Sequence, residues 1–258
     1  MNKMDELTTH LKTLRLCSVV PHLEQIFRTV ESQKFEPIDI LNQILETEIQ
    51  NRTTNRIQRR IKQAGFPIIK TLADFDFSKR KDLNKHQVLS FSKGTFVENK
   101  ENIILAGNPG TGKTHLASAI AYELCHQDKS VWFTTGAHLI NRLSQAKDEH
   151  QLTKWFTHAR KWDAVVIDEV GYFPYDKQDS ELFFQYIAER YERGSLIITT
   201  NLPFDKWNEI FHTDRLTTAI LDRIVHHCHI IEMNGESFRF AEALQKKGGK
   251  KGEPKSEK

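Results

Sequence analysis

Gly107-Asn108-Pro109-Gly110-Thr111-Gly112-Lys113-Thr114 lies between the apolar run Ile103-Ile104-Leu105-Ala106 and the helix-forming run His115-Leu116-Ala117-Ser118-Ala119-Ile120-Ala121. A buried strand leading into a glycine-rich turn, followed at once by a helix, is the setting of a phosphate-binding loop. Glycine lets backbone N–H groups approach a polyphosphate with no Cβ in the way. The helix beginning near Gly112 aims its positive end at the same phosphates. Lys113 is placed to reach β- and γ-phosphate oxygens, and the Thr114 hydroxyl to ligate a bridging Mg²⁺. The plain alternative is a glycine turn that only joins a strand to a helix. A chance match to the four fixed positions in a chain of this length comes to roughly one in a hundred, so the nucleotide reading governs the rest.

At 258 residues the chain has room for one α/β domain and a smaller appendage. A net charge of +3 and a pI near 8.6 are mild, so the placement of the charges matters more than their sum. Three scattered cysteines, Cys17, Cys125 and Cys228, argue against a disulfide framework and for a reducing compartment. The first residues carry no apolar signal core, and no apolar run approaches the roughly 18–20 residues of a membrane span. The expectation is a soluble, cytoplasmic protein with no membrane partner.

Residues 1–67 read as a helical N-terminal domain. Leu7, Leu11 and Leu14 recur at helical spacing, as do Leu23, Ile26, Phe27 and Val30. Pro37 opens a third helix with Ile38, Leu41, Ile44, Leu45 and Ile49. Beyond it, Asn51 to Gln63 holds five basic residues, Arg52, Arg56, Arg59, Arg60 and Lys62, and no acid. A solvated helix face and contact with nucleic-acid phosphates both account for such a run; beside a nucleotide-dependent machine the second is favoured. Ala64-Gly65-Phe66-Pro67 closes this region.

Residues 68–244 read as the nucleotide domain. Phe75 and Phe77, in Thr71-Leu72-Ala73-Asp74-Phe75-Asp76-Phe77, are expected to pack on its core, with a share in a base pocket as the second reading. After the loop, apolar strands at about 130–134, 163–168, 196–200 and 229–233 alternate with helical stretches. That alternation predicts an α/β fold with a parallel sheet flanked by helices. Residues 142–161 form an insert with Arg142, Lys147, Lys154, Arg160 and Lys161, where extra function can be added, and Arg142 and Lys147 are candidate DNA contacts. Residues 245–258 hold six lysines, two glutamates and three glycines and are expected to form a disordered basic tail.

Four positions connect binding to hydrolysis. Asp168 ends an apolar strand, where a carboxylate can hold Mg²⁺ partly through water. Glu169 follows and can orient the water that attacks the γ-phosphorus, although two acids after a strand also make a turn or a cap. Asn201 follows the next strand, where its amide could hold that water; a turn-forming asparagine is the alternative. Arg223, in Ala219-Ile220-Leu221-Asp222-Arg223, suits an arginine supplied across a subunit boundary, against a surface salt bridge as the default. His226-His227-Cys228-His229 lacks the separated pairs of a zinc site and is not assigned to a metal.

Taken with His115-Leu116-Ala117, Asp168-Glu169-Val170-Gly171-Tyr172, Arg190-Tyr191-Glu192-Arg193-Gly194-Ser195, and Thr200-Asn201-Leu202-Pro203-Phe204 with Trp207, these stretches resemble the IstB family. Those are helper ATPases of bacterial insertion sequences, related to the helicase loader DnaC, in the initiator clade of AAA+ proteins. The resemblance implies an AAA+ P-loop ATPase that uses ATP and Mg²⁺, assembles into a ring or filament on duplex DNA, and serves an IstA-like transposase. It implies nucleotide contacts from Gly107, Asn108, Pro109, Gly110, Thr111, Gly112, Lys113, Thr114 and His115. It further makes Asn201 the sensor, Arg223 the finger acting in trans, and Arg239 the last basic contact near the nucleotide. A DnaC-like helicase loader is the nearest alternative. A small-molecule kinase would leave Glu169, Asn201 and the basic helix without work, and a nucleotide-gated adaptor would bind ATP while barely hydrolysing it.

Overall fold

The apolar run before the glycine loop forms β1, Asn102–Ala106, with four of its five residues buried. The computed structural model describes residues 2–33, 36–80, 83–211, 213–235 and 237–238. Arg239 and the residues from Gln245 onward, for which nucleotide contact and disorder were expected, lie outside them.

Five strands make one parallel sheet. β2 is Val131–Thr135, β3 Ala164–Val170, β4 Ser195–Thr200 and β5 Cys228–Glu232, and the order across the sheet is β2-β3-β4-β1-β5. Near-continuous apolar strands and parallel pairing both require cover on the sheet faces. Helices supply it: α4 Lys85–Phe91, α5 Thr95–Glu98, α6 Lys113–His126, α7 Gly136–Asp148, α8 Leu152–Ala159, α9 Lys177–Arg190 and α10 Asp214–Val225. The insert expected at 142–161 is the end of α7 followed by the short α8. Trp155 of α8 packs edge-on against Trp132, Phe156 and Tyr186 at 5.7–6.0 Å between ring centres, which joins it to the core.

The chain divides into two compact units, Met1–Arg59 and Arg60–Lys258. The first holds α1 Lys3–Thr13, α2 Leu23–Gln33 and most of α3 Pro37–Ala64, around Leu11, Val19, Leu23, Ile26 and Ile44. Asn2 caps α1 in a reciprocal box with Asp5. α3 is one uninterrupted helix through the basic segment. Of its apolar residues up to Ile49 only Ile44 is buried; Ile38, Leu41, Leu45 and Ile49 are about half exposed or more. They form a stripe at helical spacing on a second face, which the compact unit leaves uncovered.

A polar connection organises this unit. Glu48 is buried and accepts from the Ser18 N–H at 3.0 Å and from Arg52 Nε at 2.7 Å. Arg52 also donates to the Arg15 carbonyl at 2.5 Å, where the chain turns in the left-handed region. Arg52 thus ties α3 to the turn after α1.

The cysteines differ in reach. Cys17 is exposed, whereas burial pushes the thiols of Cys125 and Cys228 up to about 12. In the native protein at neutral pH, iodoacetamide is therefore expected to label Cys17 alone, with all three labelled in denaturant. Peptide mass spectrometry checks this, and rapid native labelling of Cys125 would contradict the packing around α6.

Candidate nucleotide site

β1 delivers Gly107 to the edge of the sheet where β4 and β3 also end. The loop glycines Gly107, Gly110 and Gly112 all have φ between +78° and +143°, a region that side chains with a Cβ enter at a cost. At Gly107 there is also no space, because a Cβ would meet the Met233 carbonyl just beyond β5. Gly112 is the N-cap of α6 and is backed by the Phe75 ring. The orphan N–H groups at the start of α6 consequently face the hollow of the loop.

The lead-in segment closes one side. Phe75 is buried and meets the rings of Phe77 at 4.9 Å and His115 at 5.2 Å. The His115 Nε2 lies 3.2 Å from the Thr71 carbonyl. Phe75 thus packs on the domain, as expected, and forms the wall behind the glycine loop. The Phe238 N–H donates to the Gly110 carbonyl at 2.9 Å, so the segment after β5 lies along the loop as well. Phe238 in turn receives Lys79 and Arg80, each 5.9 Å from its ring centre.

Lys113 is buried, and its Nζ donates to the carbonyls of Gly107 and Asn108 at 2.7 Å each. Its ammonium therefore lies inside the loop, where phosphate oxygens can exchange for these carbonyls. The Thr114 hydroxyl donates to Asp168 Oδ1 at 2.9 Å. Thr199 was not among the residues expected at the site, yet its hydroxyl donates to the same oxygen at 2.5 Å. Thr199 also accepts from the Glu169 N–H at 2.9 Å. One threonine of β4 thereby holds the buried carboxylate of Asp168 and the backbone of the next residue. The signal for it is topological, because β4 lies between β1 and β3 only in the folded sheet.

Asp168 and Glu169 are adjacent but placed differently. Asp168 is 5% exposed and turned inward, whereas Glu169 is exposed. The pairing of β3 with β4 shifts register between Ile167 and Val170, and Glu169 adopts φ +58° within that irregularity. Such a bulge re-aims a side chain. Left-handed backbone at a non-glycine residue costs conformational strain. Beside Glu169 is a small hollow lined by Thr135, Ala137, Tyr172, Phe173 and Tyr175.

Asn201 follows β4 at the same edge, between the loop and Asp168. The Thr200 hydroxyl accepts from the Leu202 N–H at 3.1 Å, and the buried Trp207 donates its indole N–H to the Leu202 carbonyl at 3.3 Å. These bonds shape the turn that presents Asn201, whose amide has no hydrogen-bond partner among the described residues.

Arg223 is at the other edge. Its guanidinium donates to the Ala219 carbonyl at 2.8 Å and covers the Phe184 ring at 4.9 Å. It lines a hollow with Asn102 and Leu196, at the amino ends of β1 and β4. A five-residue strand separates this edge from the glycine loop by about 16 Å, at roughly 3.3 Å per residue. Arg223 forms no ion pair among the described residues, so the salt bridge expected by default is not made.

Arg52 is engaged with Glu48, and Arg60 with Asp128 at 3.3 Å. Arg56, Arg59 and Lys62 are exposed along α3, and Arg142, Lys147 and Lys154 on α7 and α8. Arg160 is held by Glu189 at 2.6 Å.

The oxygens gathered by Thr114 and Asp168 are hard donors, a set that fits Mg²⁺. No helix among the described residues is long and apolar enough to cross a membrane.

A family model described as IstB-like ATP binding protein matches residues 9–246. The putative ATP-binding protein of insertion sequence IS232 from Bacillus thuringiensis subsp. berliner is 36% identical over 245 residues, covering 95% of this chain and 98% of that one. The corresponding IS21 protein of Pseudomonas aeruginosa is 34% identical over 239 residues, covering 93% and 90%. Among solved structures, AMPPCP-bound DnaA from Aquifex aeolicus superposes with a TM-score of 0.56 at 17% identity, over 74% of this chain and 58% of that one. DnaI superposes with 0.51 at 20% identity, over 65% and 89%. These two share the fold, that of an AAA+ P-loop domain. The loop that β1 builds around Lys113 is thus matched by sequence over almost the whole chain, and the chain belongs to the family of IstB-like ATP binding proteins.

Proposed function

We propose that this chain is an ATPase that assembles on duplex DNA and assists the transposase of an insertion sequence in choosing target DNA and transferring strands. The observation that supports the reading is the distance between the glycine loop and Arg223, which stand at opposite edges of one sheet. The cradle and Glu169 stand at the carboxyl edge of the sheet, while Arg223 stands unpaired by any described carboxylate at the amino edge. An arginine about 16 Å of strand away from its own cradle can serve only the nucleotide of another copy.

In this reading Lys113 and the loop N–H groups hold the β- and γ-phosphates. Thr114 and Asp168 hold Mg²⁺, which when bound neutralises charge on those oxygens. Glu169 orients the attacking water, Asn201 touches that water or the γ-phosphate, and the arginine of a neighbouring copy stabilises the charge that develops. Hydrolysis then depends on self-assembly into a ring or filament. A mixing experiment tests this. Lys113→Ala loses the cradle and Arg223→Ala loses the finger, and each alone is expected to be nearly inactive. Mixed, they are expected to recover a measurable fraction of turnover, because each intact cradle can meet an intact finger. Failure of the mixture to recover anything would end the reading in trans.

For DNA, the exposed arginines of α3 support the proposal, since each phosphate contact adds to the salt dependence of binding. Neutralising Arg56 and Arg59 together, while sparing Arg52 and Arg60 in their ion pairs, is expected to reduce the slope of log affinity against log salt by about 2. Fluorescence anisotropy with duplex DNA reads the slope; an unaltered slope would return this face to solvent. A transposase is favoured over a replicative helicase as partner because the similar proteins at 34–36% identity are those of insertion sequences. The uncovered stripe Ile38, Leu41, Leu45 and Ile49 supports a protein partner for the helical unit.

A further inference from the structure

The helices α9 and α10 end beside one another, and three side chains meet there. Glu192, just past α9, and His226 and His227, just past α10, each offer a ligand atom, all within 4.8 Å of one another. We infer that Glu192, His226 and His227 form a surface site for a divalent transition metal of the zinc type. The nucleotide chemistry makes no use of these residues.

Two imidazoles and a carboxylate are a borderline donor set that suits Zn²⁺ and its neighbours, in contrast to the hard oxygens around Asp168. With metal–ligand distances of roughly 2.0–2.2 Å, tetrahedral ligands stand about 3.4 Å apart. The present spacing therefore needs about an ångström of closure. All three side chains are exposed and can make it by rotation about their own bonds. Three protein ligands leave a fourth position for water.

Three further features favour a cation here. Fourteen-residue α9 and twelve-residue α10 both direct their carbonyl ends at the cluster, and helix carboxyl ends attract positive charge. The Tyr191 hydroxyl lies 2.9 Å from His226 Nδ1, a support that steers the ring. Glu192 sits at φ +56°, so the backbone itself spends strain in placing this carboxylate. Against these, Lys100 and Arg223 line the same hollow as Glu192 and His227, and their charge weakens cation binding.

The run His226-His227-Cys228-His229 has consecutive candidate ligands and no separated partner. The fold chooses among them: His229 is paired with Glu101 at 2.9 Å and Cys228 packs against the core. The remaining two histidines receive the separated ligand from the end of another helix.

Zn²⁺ titration of the full-length protein in saturating Mg²⁺, in competition with a chromophoric zinc indicator, tests the site. Wild type is expected to take one Zn²⁺ per chain at this site. His227→Ala and Glu192→Gln are each expected to weaken it by roughly tenfold or more, and Tyr191→Phe by less. His229→Ala, outside the cluster, is the control and should bind as wild type does. Co²⁺ should give wild type a tetrahedral visible spectrum that both ligand variants lack. Uptake unchanged in both ligand variants, or absence of uptake and of the Co²⁺ band in wild type, would overturn the site. The mutated side chains are exposed, and thermal melts confirm that the variants fold; if one did not, the wild-type Co²⁺ spectrum decides alone.

Discussion

Glu169→Gln is expected to lower ATP turnover by roughly 10²–10⁴-fold, the range for removing a group that manages a proton in the transition state. ATP affinity should stay close to that of the parent protein. Gln keeps the size of Glu and its ability to donate and accept, and the φ of +58° is no harder for it than for Glu. The Glu169 N–H remains on Thr199, so the link to Asp168 survives. What disappears is the carboxylate charge, which in the proposed mechanism polarises water. Single-turnover hydrolysis and equilibrium binding of a labelled nucleotide, measured on the same preparation, separate the two effects. Turnover unchanged in Glu169→Gln would remove this residue from the mechanism and leave its strained placement without a use.

The second large effect is on stability, at a residue far from the phosphates. Arg190, the last residue of α9, is 2% exposed and forms no salt bridge among the described residues. Its guanidinium instead donates to four backbone carbonyls, those of Ala159 at 3.2 Å, Trp162 at 2.7 Å, Asp163 at 3.3 Å and Ser195 at 3.3 Å. These carbonyls lie at the end of α8 and at the amino ends of β3 and β4. One side chain therefore joins three elements, and burial lowers its pKa from the ordinary arginine value. Arg190→Met would remove a donor from all four carbonyls, of which Ala159 keeps the Trp162 N–H and Asp163 the Ser195 N–H. The expected loss is about 2–3 kcal/mol, in the range for hydrogen bonds made by a charged group, and a sizeable share of a typical domain's stability.

Gly194→Ala should act at the same place. Its Cβ would enter the space of the Arg190 guanidinium, which cannot withdraw without losing those carbonyls. By contrast, Arg193→Ala removes an exposed ion pair to Glu189 and should cost about 0–1 kcal/mol. Urea unfolding followed by circular dichroism measures all three. A midpoint for Arg190→Met equal to that of Arg193→Ala would refute this account of the junction.

Features that arise from neighbours along the chain are legible in the amino-acid sequence, and those that need distant residues are not. The loop, the strand before it and the helix after it are contiguous, and their order alone dictates a phosphate-binding turn. The helical unit was legible for a similar reason, because each amphipathic stripe is a property of one segment. α3 shows where that logic ends. Its Ile38, Leu41, Leu45 and Ile49 follow a helical pattern as faithfully as Ile44, yet only Ile44 meets the core. Periodicity tells which residues share a face and is silent on whether that face finds a partner.

Charge behaves in the same way. Five basic residues without a nearby acid read as one positive face, but Arg52 pairs with Glu48 in the preceding turns and Arg60 with Asp128 from beyond α6. An ion pair depends on distance in space, so composition of a window cannot settle it.

By itself, then, the amino-acid sequence determined the loop, the strand and helix alternation, and the acids at the end of β3, since each arises from neighbours along the chain. Only the tertiary structure decided that β4 lies between β1 and β3 and brings Thr199 onto Asp168. It also decided that Arg223 stands at the far edge, and that two histidines out of a run of four meet Glu192. The physical reason is common to all three. Strand order and helix direction set distances between residues remote in sequence, and hydrogen bonds, charge and metal coordination respond to those distances alone.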